Sequence, residues 1–276
     1  MPPGDLAGVV VALPGASLGT GDQAMFDHLA GVLAPYGVAV LSYDRRRVDD
    51  HDTPFQTQLD DLRGECDDLR EELGVPIGLF GFSQGAWVAV ESAATDDIAN
   101  LTVVGHCAVS PAEQMRFHVD ERLRRAGFDV DVRRRAGDLR QAFEKALRGH
   151  WDRDEVSGYL RAVKDEPWFP LTYLPEVLEP DHHWDDMDHD PAAAIRAVRV
   201  PTLAMWGQLE SVTPALPSRA AWAASPADVT TVLLPNTGHW PTVGSAAPDA
   251  GDWLPGGVAS PDYTETLSTW HANRWG

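Results

Sequence analysis

Lysine is nearly missing from this chain: Lys145 and Lys164 are the only two in 276 residues, and arginine supplies the rest of the positive charge. Cations of both kinds are outnumbered, 22 Lys and Arg against 42 Asp and Glu, for a formal net charge of −20. Phosphates are repelled by such a chain, so nucleic acid is not expected as a partner. The same balance fits a salt-adapted source or a genome rich in Arg and Asp codons. Cysteine is also scarce. Cys66 and Cys107 are too few for a disulfide framework, read as buried small hydrophobes, and suit a reducing, cytoplasmic compartment. Met1-Pro2-Pro3-Gly4-Asp5 has no basic region leading into a leader-like segment, so no signal peptide is expected. No apolar run approaches the roughly 20 residues of a membrane span, which argues against a membrane partner.

What the chain does have is regular alternation. Gly8 to Leu13 is a continuous run of aliphatic residues, the mark of a strand buried on both faces. Met25, Phe26, Leu29, Val32 and Leu33 recur at helical spacing within 22–35, and Val38 to Tyr43 reads as a second buried strand. Leu59, Leu62, Cys66, Leu69 and Leu73 form one apolar stripe on a charged helix. A third strand ends near Phe80, a helix covers Ala86 to Ala94, and a fourth strand spans Leu101 to Val109. This order predicts a mostly parallel sheet with helices on both faces. Residues 112–127, 134–148 and 153–165 then read as amphipathic helices, followed by an irregular Trp-, Pro- and Asp-rich segment to about Asp190. The expected organisation is a core of 1–110 and 196–276, with 111–195 inserted between the fourth and fifth strands as a helical lid. Strands at Pro201 to Gly207 and Val229 to Leu234, and helices at 215–224 and Thr264 to Asn273, complete the core.

The stretch Gly81-Phe82-Ser83-Gln84-Gly85 sits where strand meets helix. A serine between two glycines in that context reads as a nucleophile elbow: the turn is too tight for side chains at 81 and 85, and the hydroxyl is exposed at the helix N-terminus. A serine hydroxyl needs a base, and the base an orienting acid. Later strand ends supply both in the expected order, Glu210 beyond Trp206-Gly207 and His239 within Thr237-Gly238-His239.

On these residues the chain resembles an α/β-hydrolase, in particular the esterase and prolyl-oligopeptidase-like branch with a helical lid. Tyr43-Asp44-Arg45-Arg46 is similar to the family's Y-D-x-R-G string, Pro201 to Gly207 to its strand before the acid, and Thr237-Gly238-His239 to its histidine motif. The resemblance implies an α/β-hydrolase fold and a Ser83–His239–Glu210 triad that cleaves a carboxylic ester of a small-molecule acyl substrate through an acyl-enzyme. The oxyanion hole needs two backbone N–H groups. One is expected from Gln84, the other from the 14–17 loop at Ala16, with Ser17 as the alternative. The family's usual His-Gly is Pro14-Gly15 here, its commoner Asp is Glu210, and its opening strands are absent, because Gly8 already starts the third. The sheet is therefore expected to be short at one edge, which a partner subunit of a homo-oligomer could cover.

Several residues carry a second reading. Asp188 or Glu113 could replace Glu210. Arg45 to Arg47 could bind a substrate carboxylate, though a solvated or ion-paired loop is the simpler reading. Trp87, Trp168, Phe169 and Trp184 could line an acyl pocket or simply pack. His106 reads as a core histidine within the fourth strand. The run from Asp181 to Asp190 has metal-ligand residue types but reads as a solvated loop, so no metal is expected. No G-x-G-x-x-G opens a helix after the first strand, so no cofactor is implied. Acyl transfer and thioester, peptide or lactone cleavage remain open with the same residues, as does a non-catalytic binding protein of the same fold. Serine at position 83 disfavours the aspartate-nucleophile relatives.

Overall fold

Aliphatic runs without polar interruption become the centre of the sheet. The computed structural model describes residues 6–16, 20–46, 53–243 and 258–275. In chain order it contains β1 (Gly8–Leu13), α1 (Thr20–Leu33), β2 (Val38–Ser42), α2 (Phe55–Leu73), β3 (Ile77–Phe82), α3 (Gln84–Thr95) and β4 (Asn100–Val104). Three helices follow, α4 (Pro111–Arg125), α5 (Val130–Leu147) and α6 (Arg153–Val163). The chain then returns through α7 (Ala192–Ala197), β5 (Thr202–Gly207), α8 (Ala215–Ala223), β6 (Val229–Leu234) and α9 (Pro261–Trp275).

The six strands pair in the order β2-β1-β3-β4-β5-β6, and every pair is parallel. Side chains alternate across the sheet. Val10 and Ala12 join Met25, Phe26 and Leu29 of α1 and Tyr263, Leu267 and Trp270 of α9 on one face. Val11 and Leu13 face the other way, into a core shared with α2, α3, α7 and α8. Register then positions the loops. Leu13 lies opposite Gly81, Phe82 opposite Val104, Val104 opposite Met205, and Gly207 opposite Leu234. The chain therefore leaves β1, β3, β4, β5 and β6 at one common edge, the carboxyl end of the sheet, where open α/β folds place their sites.

Two sequence expectations need correction. The fourth strand stops at Val104 rather than Val109, because Gly105 takes a left-handed φ of 63° that turns the chain out of the sheet. His106 is thus a buried loop residue rather than a strand residue; its Nδ1 accepts from Trp222 Nε1–H at 3.2 Å and its carbonyl from Trp206 Nε1–H at 2.7 Å. The insertion was expected to run to 195, but Ala194, Ile195 and Val198 pack in the sheet-side core, so 190–198 goes with the sheet.

Ser110–His189 forms a second compact unit. Its helices start where side chains cap them: Ser110, Asp129 and Asp152 accept from the N–H groups of Glu113, Val132 and Glu155. Val119, Leu123, Phe143, Val156, Leu160, Trp168 and Phe169 make its core, which accounts for Trp168 and Phe169 as packing residues. Glu144 is buried there beside Arg140, at 3.3 Å, and Arg116.

Neutral histidine is built into the first unit at His271. Trp275 Nε1–H donates to its Nδ1 at 3.1 Å, so the ring proton sits on Nε2 and donates to Thr102 Oγ1 at 3.3 Å. Burial first, and Arg274 second, push its pKa from the ordinary 6.5 to about 3. The unfolded chain takes up this proton as pH falls through 6.5, whereas the folded protein does not until about pH 3. Stability contributed by the neutral ring is thus complete above that window and lost as pH falls, by at most about 1.4 kcal/mol per pH unit. Urea unfolding at pH 6.5 and pH 5 is expected to differ by up to about 2 kcal/mol more in wild type than in His271→Gln, which cannot titrate. Equal pH slopes would rule this out.

Candidate active site

Ser83 occupies the single position between β3 and α3, with φ 51° and ψ −114°. A side chain is rarely found there, and holding one costs about 1–3 kcal/mol. The surroundings enforce it. A Cβ at Gly81 would stand 2.5 Å from Ala86 Cα, and one at Gly85 would stand 2.5 Å from the Leu13 and Pro14 carbonyl oxygens. Ser83 N–H continues the ladder to Val104 O at 2.9 Å, and its own carbonyl accepts from Ala86 N–H at 3.1 Å. Gln84 is the first residue of the helix that follows.

Glu210 and His239 reach this serine from two stapled loops. Gln208 N–H donates to Leu234 O at 2.8 Å and Leu209 N–H to Thr237 O at 2.9 Å. Gly207 makes that approach possible, since a Cβ there would run into the carbonyl oxygens of Gly238 and Thr237. His239 Nε2 lies 2.9 Å from Ser83 Oγ, and its Nδ1 lies 3.1 and 3.0 Å from the two Glu210 oxygens. Glu210 Oε1 also accepts from the N–H groups of Ser211, Val212 and Thr213 at 2.9, 2.7 and 3.2 Å. Burial alone would push this carboxyl up. The charge and hydrogen bond of His239, with the Val212 and Thr213 N–H groups, overcome that and hold it below the ordinary glutamate range. It is therefore an ionised acceptor at neutral pH, with Nδ1–H of His239 donating to it and Nε2 left to accept from the serine. The Phe82 ring backs the imidazole, centroids 5.1 Å apart, and Trp240 packs on Phe82.

Glu210 holds the acid position, and both alternative acids belong to the second unit. Asp188 accepts from Arg148 at 2.7 Å, and Glu113 lies in the first turn of α4 behind its cap. Sequence reasoning passed over Gly105. A Cβ on it would stand 2.9 Å from His239 Cε1, and its φ of 63° disfavours any other residue. The available signal was a glycine closing a buried strand, which marks a close approach.

The loop after β1 lies against the elbow. A Cβ on Gly15 would sit 3.2 Å from the Phe82 ring and 3.4 Å from Ser83 Cβ. Gly15 N–H donates to the buried Asp22 carboxylate at 2.9 Å, and Arg45 Nη2 donates to the carbonyls of Pro14 and Gly15 at 3.0 and 2.8 Å. Ala16 follows as an exposed bend. Ser17 and Arg47 lie outside the described residues, and Arg46 pairs with Asp61. Trp87 is buried with its Nε1–H on Cys107 O, and both cysteines are buried and free of disulfide. Trp184 is half-buried, with Arg140 5.8 Å from its ring centre. Among the described residues no three His, Cys, Asp or Glu side chains converge as metal ligands, and no helix is long and apolar enough to cross a membrane.

A profile of the alpha/beta hydrolase family matches residues 10–250, most of the chain and every element of the site. The chain belongs to the alpha/beta hydrolase family. Solved structures repeat the fold over almost the whole length. Est1E from Butyrivibrio proteoclasticus, solved with ferulic acid bound, is 15% identical over 99% of this chain and 91% of its own, with a TM-score of 0.57. A thermophilic esterase from Thermogutta terrifontis, malate bound, is 21% identical over 99% and 92%, with a TM-score of 0.56. DcsB, in complex with its substrate analogue, is 16% identical over 99% and 92%, also at 0.57. At these identities the likeness is one of fold. A comparison with curated protein sequences finds no significant match.

Proposed function

We propose that this alpha/beta hydrolase cleaves a carboxylic ester through an acyl-enzyme, as a metal-independent serine esterase. The observation that carries this reading is the continuous hydrogen-bonded path from Ser83 Oγ through His239 to Glu210, 2.9 Å and 3.0 Å, at a strained strand–helix turn. Ser83 Oγ attacks the ester carbonyl while His239 Nε2 takes its proton, and Glu210 stabilises the imidazolium that forms. The Gln84 and Ala16 N–H groups hold the oxyanion. His239 then delivers the proton to the leaving alcohol, the C–O bond breaks, and the acyl group stays on Ser83. Water, deprotonated by His239, releases the carboxylic acid. Est1E and the Thermogutta esterase were solved with ferulic acid and malate, both carboxylic acids, the class of product such a cleavage releases.

A fluorophosphonate probe tests the reading without knowledge of the substrate. Wild-type protein is expected to take up one phosphonyl group, mapped by mass spectrometry to the peptide carrying Ser83. Folded protein that stays unlabelled, or is labelled at another residue, would overturn it.

A further inference from the structure

We infer that Arg45 and Asp22 are positioning residues for the oxyanion: Arg45 holds and polarises the peptide group whose N–H meets it, and Asp22, with Arg45, fixes the peptide group just before. The inference rests on the ester-cleavage reading above and deepens it. Two successive peptide planes are involved. The Pro14–Gly15 plane is held at both ends, its carbonyl by Arg45 Nη2 at 3.0 Å and its N–H by Asp22 Oδ2 at 2.9 Å. The carbonyl end of the Gly15–Ala16 plane is held by the same Arg45 nitrogen, at 2.8 Å. A trans peptide points N–H opposite to C=O. Anchoring the Gly15 oxygen on Arg45 therefore directs the Ala16 N–H away from the guanidinium.

The electronic effect runs the same way. A charge-assisted bond on a carbonyl draws electrons through the amide and strengthens its N–H as a donor. Gly15 N–H is already committed to Asp22, which leaves Ala16 as the next donor in the loop. Asp22 alone would set a negative charge close to where another develops; Arg45, bonded to the same plane, offsets it. Pro14 adds stiffness, because its φ is locked and it has no N–H to satisfy. The loop has little room to relax, since Gly15 sits against Ser83 and the Leu13 and Pro14 carbonyls lie on Gly85. Pro14-Gly15, which stands in place of the family's usual His-Gly, is thus supported from Asp22 and Arg45.

The rate of Ser83 phosphonylation by the fluorophosphonate tests this, because the phosphoryl oxygen takes the oxyanion's place. Removing one oxyanion donor outright costs about 10²–10³-fold, and a donor left in place but loosened should lose part of that, about 10–100-fold. Arg45→Met is expected to slow labelling by that factor while still reaching one label per chain, and Arg45→Lys to recover part of the rate. Asp22→Asn keeps an acceptor for Gly15 N–H, loses the charge, and is expected to slow labelling a few-fold; it reads the same loop if Arg45→Met does not fold. Labelling of Arg45→Met (or, failing that, of Asp22→Asn) at the wild-type rate would overturn the inference. So would an unchanged rate with incomplete final labelling, the pattern of a merely structural role, or a loss confined to KM for an acidic ester, the pattern of a substrate-carboxylate site. Wild-type protein that is never labelled at Ser83 would instead condemn the ester-cleavage reading.

Discussion

Ser83→Ala is expected to lower kcat on an activated ester such as p-nitrophenyl acetate by about 10⁶-fold, the scale seen when a triad serine is removed from a serine hydrolase. Nothing else described at the site can take its place, because the hydrogen-bonded path ends at Ser83 Oγ, 2.9 Å from the imidazole. The fold should be indifferent. Alanine keeps the Cβ, and the backbone bonds to Val104 and Ala86 do not involve the side chain. Glycine separates chemistry from strain at the same position. Ser83→Gly is equally inactive, yet it removes the Cβ from a backbone at φ 51° and ψ −114°. Strain of about 1–3 kcal/mol is relieved against about 0.5–1 kcal/mol for the freer unfolded chain. A net gain of about 1 kcal/mol corresponds to a rise of about 2–4 °C in Tm. The serine would then be retained against stability, for what its hydroxyl does. Turnover by Ser83→Ala within a hundred-fold of wild type would remove the nucleophile assignment, and a lower Tm for Ser83→Gly would remove the strain argument.

The sheet was legible where burial alone decides structure. Gly8–Leu13 appears with the limits the apolar pattern suggests, because a strand covered on both faces admits only apolar residues. Val229–Leu234, half-buried at the sheet edge and carrying Thr230 and Thr231, also keeps its limits. The pattern failed where one backbone angle overrides it. Cys107-Ala108-Val109 is apolar enough to extend β4, but Gly105 has already turned the chain away. It failed again at α7, whose six residues are too few to show a period. Ser83, Glu210 and His239 could be picked out because each follows a recognisable strand, and chain order narrows the choice. Gly105, Asp22 and Arg45 could not. Their partners are an imidazole edge and the backbone of another loop, and contacts of that kind leave no spacing rule in the sequence. Arg45 reads in the sequence as a loop residue, solvated or ion-paired, and nothing there points to the Pro14 and Gly15 carbonyls that it bonds.

Glu210→Gln should be nearly as damaging as loss of the serine's partner, with kcat down about 10⁴-fold and KM little changed. The geometry predicts which way the amide turns. Three backbone N–H groups, from Ser211, Val212 and Thr213, converge on the Oε1 position, so the amide oxygen must occupy it. The NH₂ is then forced to the Oε2 position, 3.0 Å from His239 Nδ1. The amide oxygen, 3.1 Å from Nδ1, already accepts three N–H groups, so the NH₂ facing Nδ1 makes that nitrogen the acceptor and moves the ring proton to Nε2, the atom facing Ser83 Oγ. The base then carries a proton where it needs a lone pair, and the imidazolium has no counter-charge when it forms. Glu210→Asp keeps the charge and the tautomer but shortens the reach by one methylene, so it should fall between wild type and Gln. Both substitutions should slow fluorophosphonate labelling in parallel with kcat, since both act on the same proton transfer. If Glu210→Gln turns over within ten-fold of wild type, the three N–H groups are orienting a loop rather than an acid, and the histidine draws its orientation from the Phe82 ring and the space at Gly105.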